Sequence, residues 1–295
     1  MTTPRRPNTV EADTATLLEY VDAVVRAGID GLVFFGSTGE FVHFDSEERM
    51  RMLCLAIKRS RVPVLVNVSH STLAGAIQLA ENAMDTGASG LLLMPPYFYH
   101  YSDEQILEFY WQFSKSLDET VPVYLYNLPF FTDPLSPFVL DRLLSSGKFV
   151  GIKDSSADWG LFEHLQNLHA NQKFRLLVGS ESLFLRASYG GAEGIVSGVA
   201  AAIPELMIAL DRAIKAGEKD RAEHLNNRLA EFVGYVNRFP ATIAIKQAAV
   251  VRGWIVNHVA VPLDKDLAAE VAAFQSWLEH WLPVVLAESK TAPVA

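Results

Sequence analysis

The strongest constraint on the fold is a series of short apolar runs separated by amphipathic stretches. Seven such runs, rich in β-branched residues, are GLVFFG (31–36), VPVLVNV (62–68), GLLLMPP (90–96), VPVYLYN (121–127), KFVGIKD (148–154), RLLVGS (175–180) and GIVSG (194–198). Nearly continuous apolar runs are typical of parallel strands buried on both faces, and a spacing of about 20 to 30 residues accommodates a crossover helix. The pattern therefore predicts repeated βα units.

Helix start signals stand before several of the intervening stretches. An Asp, Ser or Thr that can cap a first helical turn occurs at 45–46, 71–72 and 102–103. After Val199 the strand pattern stops, and four segments are helical in character: 203–217, 219–237, 241–253 and 265–288. We interpret the chain as an α/β protein, a (β/α)8 TIM barrel catalytic domain over residues 1–235 with a C-terminal helical extension over 236–295. An open doubly wound sheet is the alternative.

Composition excludes several classes of function. The chain carries 25 Lys+Arg against 34 Asp+Glu, a formal charge of −9, and lacks the basic stripe that nucleic-acid binding requires. No segment approaches the roughly 18 consecutive apolar residues of a membrane span, and the first residues lack the apolar stretch of a signal peptide. The single cysteine, Cys54, cannot form an intramolecular disulfide. We expect a cytoplasmic protein that binds neither nucleic acid nor membrane.

Motifs for metals and common cofactors are missing from the sequence. The eight histidines include no HxxxH or HxH pair, and neither GxxxxGK[ST], GxGxxG nor GxSxG occurs. We therefore expect no metal and no cofactor.

In a barrel, reactive groups lie at the carboxyl ends of the strands. Lys153 ends one run, and alternation along the strand places it on the same side as Phe149 and Gly151. If that side faces the barrel axis, burial favours the neutral amine that Schiff-base chemistry requires, and Gly151 leaves room for a ligand. A lysine reaching from the strand end into solvent is the alternative.

Three other strand-end features have a catalytic and a structural interpretation. Tyr126 could shuttle protons or could be an ordinary packed tyrosine. Ser37 and Thr38 offer hydroxyls and approachable N–H groups suited to a carboxylate, although glycine-flanked turns also arise for conformational reasons. Glu40 is interpreted as the cap of a helical segment rather than as a catalytic residue.

Three motifs in register resemble those of one known family. GSTGE (36–40), YNLP (126–129) and GIKDSS (151–156) resemble the dihydrodipicolinate synthase and N-acetylneuraminate lyase superfamily of class I aldolases, over residues from about 13 to 290. The resemblance implies a (β/α)8 barrel with a C-terminal helical extension, assembled as a homotetramer of tight dimers. It also implies that the substrate is a 2-oxo acid such as pyruvate.

The resemblance assigns roles to individual residues. It makes Lys153 the lysine that forms the Schiff base and Tyr126 the proton-relay tyrosine. Ser37 and Thr38 then match the hydroxyl pair that holds the substrate carboxylate, with Thr38 also relaying protons. Val196 matches the residue whose backbone carbonyl faces the imine. The expected substrate-binding residues also include positions on the loops: Gly179, Phe131 and Glu181.

Departures from the family pattern distinguish among its members. Dihydrodipicolinate synthases carry an arginine where this chain has Phe131, and a tyrosine that crosses the dimer interface where it has Phe98. Phenylalanine cannot give the bidentate grip of a guanidinium on a carboxylate. Sialic acid lyases keep small residues where this chain has Phe130 and Phe131, and acidic ones where it has GSES (179–182), although Glu181 could hydrogen-bond a polyol. The motifs are closest to those of enzymes that act on 2-keto-3-deoxy sugar acids.

Two departures bear on structure. Asp133 replaces a glycine common in the family, with no account from the sequence. Thr3-Pro4 matches the end of the family's first strand, so most of that strand is expected to be missing.

These observations lead to one main hypothesis and three alternatives. The main hypothesis is a Schiff-base-dependent aldolase or lyase that cleaves a 2-keto-3-deoxy sugar acid to pyruvate and an aldehyde. A dehydratase acting on a similar acid would use the same lysine. A dihydrodipicolinate synthase is disfavoured by Phe131 and Phe98, and a non-catalytic keto-acid-binding protein is the alternative outside the enzymes.

Overall fold

A computed structural model describes residues 1–7, 9, 11–117, 121–240, 242–257 and 259–290. Strands and helices alternate through most of this part of the chain, and the predicted runs all contain a strand. The elements are α1 (Thr14–Arg26), β1 (Leu32–Phe34), α2 (Ser46–Arg59), β2 (Val64–Asn67), α3 (Leu73–Thr86), β3 (Gly90–Leu93), α4 (Asp103–Ser116), β4 (Val123–Asn127), α5 (Pro137–Ser145), β5 (Gly151–Asp154), α6 (Trp159–His169), β6 (Arg175–Val178), α7 (Phe184–Tyr189), β7 (Gly194–Ile195), α8 (Pro204–Ala216), α9 (Lys219–Val236), α10 (Ile243–Val251) and α11 (Lys265–Lys290).

The chain divides into two compact units. One unit comprises Met1–Pro63 and Ser197–Ala295, and the other comprises Val64–Val196. The 1–235 and 236–295 boundaries drawn from the sequence stay a prediction about domains.

The second unit contains six parallel strands that follow one another in chain order, β2 to β7. A doubly wound sheet reverses its strand order at a switch point, whereas barrel strands run in sequence around the sheet. The observed order favours the barrel over the open sheet. β3 is buried along its whole length, as a strand covered on both faces should be.

Helix starts follow the predicted caps. The Asp45 side chain accepts from the Glu48 N–H, and Glu48 returns the contact, which completes a capping box at α2. Ser102 and Gln105 form the same box at α4, and Thr72 caps α3. These local hydrogen bonds explain why the first turns form where the sequence predicts them.

The first unit begins with a buried segment, residues 2–5, that is not part of a regular strand. The Met1 amino group donates to the carbonyl of Val33, within β1, at 2.8 Å, and the Thr3 hydroxyl donates to the Gly39 carbonyl at 2.8 Å. Arg5 forms an isolated antiparallel bridge with Ala12. The shortened first strand expected from the sequence is thus a segment held by individual hydrogen bonds.

Helices α8 to α11 complete the first unit. Arg228 on α9 donates through two nitrogens to Glu288 on α11, each at 2.8 Å, and aromatic rings of the same helices stack beside this pair. Of the helices described, none is both long enough and apolar enough to cross a membrane.

Candidate active site

Lys153 and Tyr126 lie opposite each other on neighbouring strands of the second unit. The register of β4 and β5 pairs these two residues, and both are buried. The Lys153 Nζ atom is 4.0 Å from the centroid of the Tyr126 ring. Because both come from central strands rather than from loops, their relative positions are fixed by the sheet.

This contact places an amine against the face of a phenol. A charged ammonium is attracted to the π face of the ring, and burial of the pair removes competing water. Lys153 therefore does not reach from the strand end into bulk solvent, which was the alternative considered from the sequence: its residue exposure is 6%. The arrangement can supply a nucleophilic amine with a hydroxyl-bearing ring beside it.

Gly179 lets two side chains pack closely against its backbone, next to the lysine. A Cβ atom added at this position would lie 2.7 Å from Lys153 Cε and 2.0 Å from the Ser155 hydroxyl oxygen. Any side chain here would displace one of these groups. The sequence-predicted Gly179 therefore belongs to the surroundings of the lysine.

Gly151 has a different role from the one expected. A Cβ atom there would lie 2.5 Å from the Arg175 carbonyl oxygen and 3.0 Å from Tyr124 Cδ1. The idea that Gly151 leaves room for a ligand is wrong, because the space is filled by the Tyr124 ring and by the backbone of β6. The glycine instead permits close packing of β4, β5 and β6.

A buried polar cluster lies next to the lysine along the same strands. Asp154 follows Lys153 on β5 and accepts from the Asn127 side-chain amide at 2.7 Å and from the Ser156 hydroxyl at 2.8 Å. Asn127 in turn accepts from the Leu135 N–H at 3.0 Å. Burial raises the pKa of Asp154, and the hydrogen bonds from Asn127 and Ser156 oppose that rise. The hydrogen bonds of these YNLP and GIKDSS side chains thus hold the loops after β4 and β5 against the ends of the two strands.

Ser37 and Thr38 lie in the first unit, in a single 3₁₀ turn, Ser37–Gly39, that follows β1. Both residues are partly exposed. Glu40 ends this turn with a left-handed backbone, φ 56°. Its interpretation as a helix cap is wrong: its carboxylate makes no capping hydrogen bond and binds Lys246 of α10 at 2.5 Å instead.

The loops after β3 and β4 carry exposed aromatic rings. Phe98 is 83% exposed and Phe131 is 62% exposed, and Phe98 has a left-handed backbone, φ 88°. Asp133 ties the two loops together by accepting from the Tyr101 N–H at 2.7 Å and contacting His100 Nδ1 at 2.7 Å. This gives Asp133 the structural role that the sequence did not reveal.

The remaining predicted residues follow the next two strands. Glu181 begins a 3₁₀ turn after β6, and Val196 follows β7 with its N–H bonded to the Val178 carbonyl at 2.8 Å. Within the described residues, no group of three or more His, Cys, Asp or Glu side chains could hold a metal ion. Of the site residues predicted from the sequence, Lys153, Tyr126 and Gly179 thus lie together. The other predicted site residues lie in separate turns and loops.

Two residues outside the predicted site stand out in the structure. Lys246 and Asp154 are buried charged groups that the motif analysis did not select as site residues. For Asp154 a signal existed, since a carboxylate next to the lysine of a strand-end motif is unusual in a core. For Lys246 no local signal existed, because its partner lies 206 residues away.

The order of the strands and the buried lysine place the chain among the parallel α/β barrel enzymes. A family model, the dihydrodipicolinate synthetase family, matches residues 2–279. The chain belongs to this family, whose members are lyases, and it is accordingly an enzyme of that class.

Relatives with different activities are equally similar to this chain. A 4-hydroxy-tetrahydrodipicolinate synthase of Methanothrix thermoacetophila is 30% identical, with 85% of each chain covered. A protein of Escherichia coli K12 named "Probable 2-dehydro-3-deoxy-D-pentonate aldolase YjhH" is 29% identical, also with 85% of each chain covered. Overall identity therefore does not choose between synthase and aldolase.

Solved structures share the fold. YagE of E. coli K12, a prophage protein of the same family solved in complex with pyruvate, has a TM-score of 0.85 at 27% identity, covering 95% of this chain and 96% of its own. Dihydrodipicolinate synthase from Aquifex aeolicus has a TM-score of 0.87 at 22% identity, covering 96% of each chain. The barrel expected from the sequence is thus confirmed.

Proposed function

We propose that this enzyme is a Schiff-base-forming aldolase that cleaves a 2-keto-3-deoxy sugar acid to pyruvate and an aldehyde. The observation that carries the proposal is the buried Lys153 Nζ, 4.0 Å from the centroid of the Tyr126 ring. Support also comes from a relative named as an aldolase of this substrate class and from the pyruvate complex of YagE.

The chemistry follows from an amine beside a phenol. Lys153 Nζ attacks the C2 carbonyl, and loss of water gives a protonated imine. Tyr126 accepts the proton of the C4 hydroxyl as the C3–C4 bond breaks, and the bonding electrons move into the imine. The aldehyde leaves, Tyr126 gives the proton back to C3 of the resulting enamine, and addition of water to the imine releases pyruvate from the lysine.

Substrate binding is assigned to the partly exposed turn and loops. Ser37 and Thr38 would hold the carboxylate through N–H groups and hydroxyls, with Thr38 also relaying protons. The Val196 carbonyl would face the imine. Gly179, which has no Cβ, would allow the Lys153 side chain and the Ser155 hydroxyl to lie against its backbone. Phe131 would line the aldehyde side of the substrate, and Glu181 would bind its hydroxyl groups.

A synthase activity is disfavoured by the same loops. Phe131 offers an apolar ring where a second substrate carboxylate would need a cation, and Phe98 lacks a hydroxyl for proton relay. A dehydratase remains the second candidate, because abstraction of a C3 proton from the same imine would eliminate the C4 hydroxyl as water and leave the carbon chain intact.

The test is chemical trapping. Borohydride in the presence of pyruvate should reduce the imine and leave a stable adduct on the Lys153 peptide, which mass spectrometry detects. Lys153→Arg keeps a cation and should give no adduct, whereas Lys148→Ala, an exposed lysine of the same segment, should label normally. An unlabelled wild-type peptide would overturn the Schiff-base mechanism.

Turnover separates the remaining alternatives. The enzyme is given a panel of five- and six-carbon 2-keto-3-deoxy sugar acids, and pyruvate release is followed with a coupled assay. Pyruvate release supports the aldolase, and consumption of the acid without pyruvate supports the dehydratase. An adduct on Lys153 with no consumption of any acid would favour a keto-acid-binding protein.

We also propose that the protein is cytoplasmic and forms a homotetramer, in which the subunits associate as tight dimers. Exposed aromatic side chains on the loops after β3 and β4 support association, since large exposed apolar patches commonly mark interfaces. Light scattering coupled to size-exclusion chromatography tests the mass. A monomer at micromolar concentration would contradict this part of the proposal.

A further inference from the structure

A buried ion pair stands next to the turn that carries Ser37 and Thr38. Lys246 Nζ on α10 binds Glu40 Oε2 at 2.5 Å, with residue exposures of 1% and 8%. Thr242 adds a hydroxyl that donates to Glu40 Oε1 at 3.3 Å. All of these groups belong to the first unit, and the pair has no role in the chemistry assigned to Lys153.

The ion pair holds the backbone of Glu40 in an unfavourable conformation. Glu40 ends the Ser37–Gly39 turn with its N–H bonded to the Ser37 carbonyl at 3.0 Å, and it has a left-handed backbone, φ 56°. A residue other than glycine adopts this conformation unfavourably unless its surroundings impose it. The contacts of Thr242 and Lys246 with the Glu40 carboxylate, and the Thr3 hydroxyl on the Gly39 carbonyl, impose it here.

Stability alone gives no reason to bury such a pair. Taking both charges out of water is costly, and apolar residues of similar volume often stabilise a core as well or better. Burial lowers the pKa of Lys246, and the contact with Glu40 opposes that lowering. Arg5, stacked 4.3 Å from the Phe44 ring centroid, adds a second cation near Glu40.

We propose that Glu40 and Lys246 are positioning residues for the carboxylate of the 2-oxo acid. By holding Glu40, Lys246 fixes the end of the turn and thereby the direction of the Ser37 and Thr38 N–H groups. The inference rests on the proposed function, in which that turn binds the carboxylate. Neither residue touches substrate, and neither enters the covalent steps.

The experiment measures borohydride labelling of Lys153 as a function of pyruvate concentration. The main variant is the double substitution Glu40→Gln with Lys246→Met. It removes the ion pair between these residues without leaving a buried charge unpaired. We expect the half-saturating pyruvate concentration to rise about tenfold, with the same maximal labelling and a melting temperature near that of the wild type.

Two further variants separate positioning from folding. Lys246→Met alone should raise the half-saturating concentration similarly but lower the melting temperature. Arg252→Met breaks another partly buried pair of the same unit, in which Arg252 binds Glu205 at 2.6 Å, and should lower the melting temperature while leaving half-saturation unchanged.

The outcomes distinguish this inference from the proposed function. If wild-type Lys153 takes no label, the Schiff-base mechanism has failed and the positioning role fails with it. If the wild type labels and the double variant has a half-saturating concentration within twofold of it, the positioning role alone is overturned. A double variant that is as unstable as the single Lys246→Met would show that the pair serves folding instead.

Discussion

Asn127 donates its side-chain amide to Asp154 at 2.7 Å, across the same two strands that bring Tyr126 and Lys153 together. Adjacent residues of a strand point to opposite faces, so each strand pair contributes one contact to either face of the sheet. The YNLP and GIKDSS motifs thus combine a reactive pair with a polar pair that fastens the neighbouring loop to the strand end.

Tyr126→Phe should separate imine formation from carbon–carbon cleavage. The ring under Lys153 Nζ is kept, so labelling by pyruvate and borohydride should persist. Loss of the hydroxyl should lower turnover of the cleaved acid about 10²- to 10⁴-fold, the usual contribution of a positioned acid–base group. Turnover within threefold of the wild type would remove Tyr126 from the proton transfers.

Gly179→Ala should disturb Lys153 directly. The new Cβ would approach Lys153 Cε and the Ser155 hydroxyl too closely, so one of them must move. We expect a loss of about 1–3 kcal/mol in the free energy of unfolding and a marked loss of labelling. Gly234→Ala is the matched control, because its Cβ would meet nothing on α9 and a small gain in stability is expected.

Asp154 should make stability fall as pH rises. Its pKa is raised in the folded state, so the folded protein binds the proton more tightly than the unfolded chain does. The contribution is present at low pH and is lost from about pH 4 up to the raised pKa, with a slope of at most about 1.4 kcal/mol per pH unit.

Asp154→Asn provides the comparison for this titration. The amide keeps an oxygen that can accept from Asn127 but does not titrate. Urea unfolding at several pH values should therefore show the wild type losing stability relative to this variant as pH rises through that window. Parallel curves for the two proteins would contradict the prediction.

Titration of Glu288 should change stability in the opposite direction, so that its contribution grows as pH rises. Hydrogen bonds from Arg228, on α9, hold the pKa of the Glu288 carboxyl below its usual value, and burial opposes the effect. The pair therefore contributes stability above about pH 4.5, and that contribution is lost as pH falls through the lowered pKa. Glu288→Gln should cost about 1 kcal/mol at pH 7 and progressively less in acid. An equal cost at pH 7 and pH 3 would show that the charge is irrelevant.

Asp133→Ala should loosen the loops after β3 and β4. It removes the acceptor of the Tyr101 N–H and the contact with His100. Hydrogen exchange of the backbone amides at 97–101 should become faster, whereas exchange in β4 should be unchanged. Protection equal to that of the wild type would mean that the Tyr97–Thr132 bridge suffices to hold these loops.

The sequence predicted what depends on local patterns. The seven strands and the caps at Asp45, Thr72 and Ser102 follow from apolar runs and from side chains that bind their own first turn. The position of Lys153 beside Tyr126 follows from alternation on two strands, once those strands are neighbours.

Features that depend on distant contacts were beyond the sequence. The position of Glu40 at the start of a helical segment predicts a cap, because Lys246, which binds it, lies on a helix 206 residues further along the chain. The absence of a side chain at Gly151 predicts open space, because the Tyr124 ring that fills that space comes from another strand. In both cases the deciding partner is set by packing between elements, which no local pattern encodes.

The tryptophans give each unit its own optical reporter. Trp277 stacks on Trp281 with ring centroids 5.0 Å apart in the first unit, and Trp159 stacks on Phe162 in the second, with the guanidinium of Arg186 3.5 Å from the Trp159 ring centroid. Two closely stacked indoles couple their transitions, so Trp277 and Trp281 should give α11 a near-ultraviolet circular dichroism band. A variant that keeps Trp159 alone of the five tryptophans would report on the second unit by its emission. Unfolding followed by both signals would show whether the two units melt as one cooperative body or in succession.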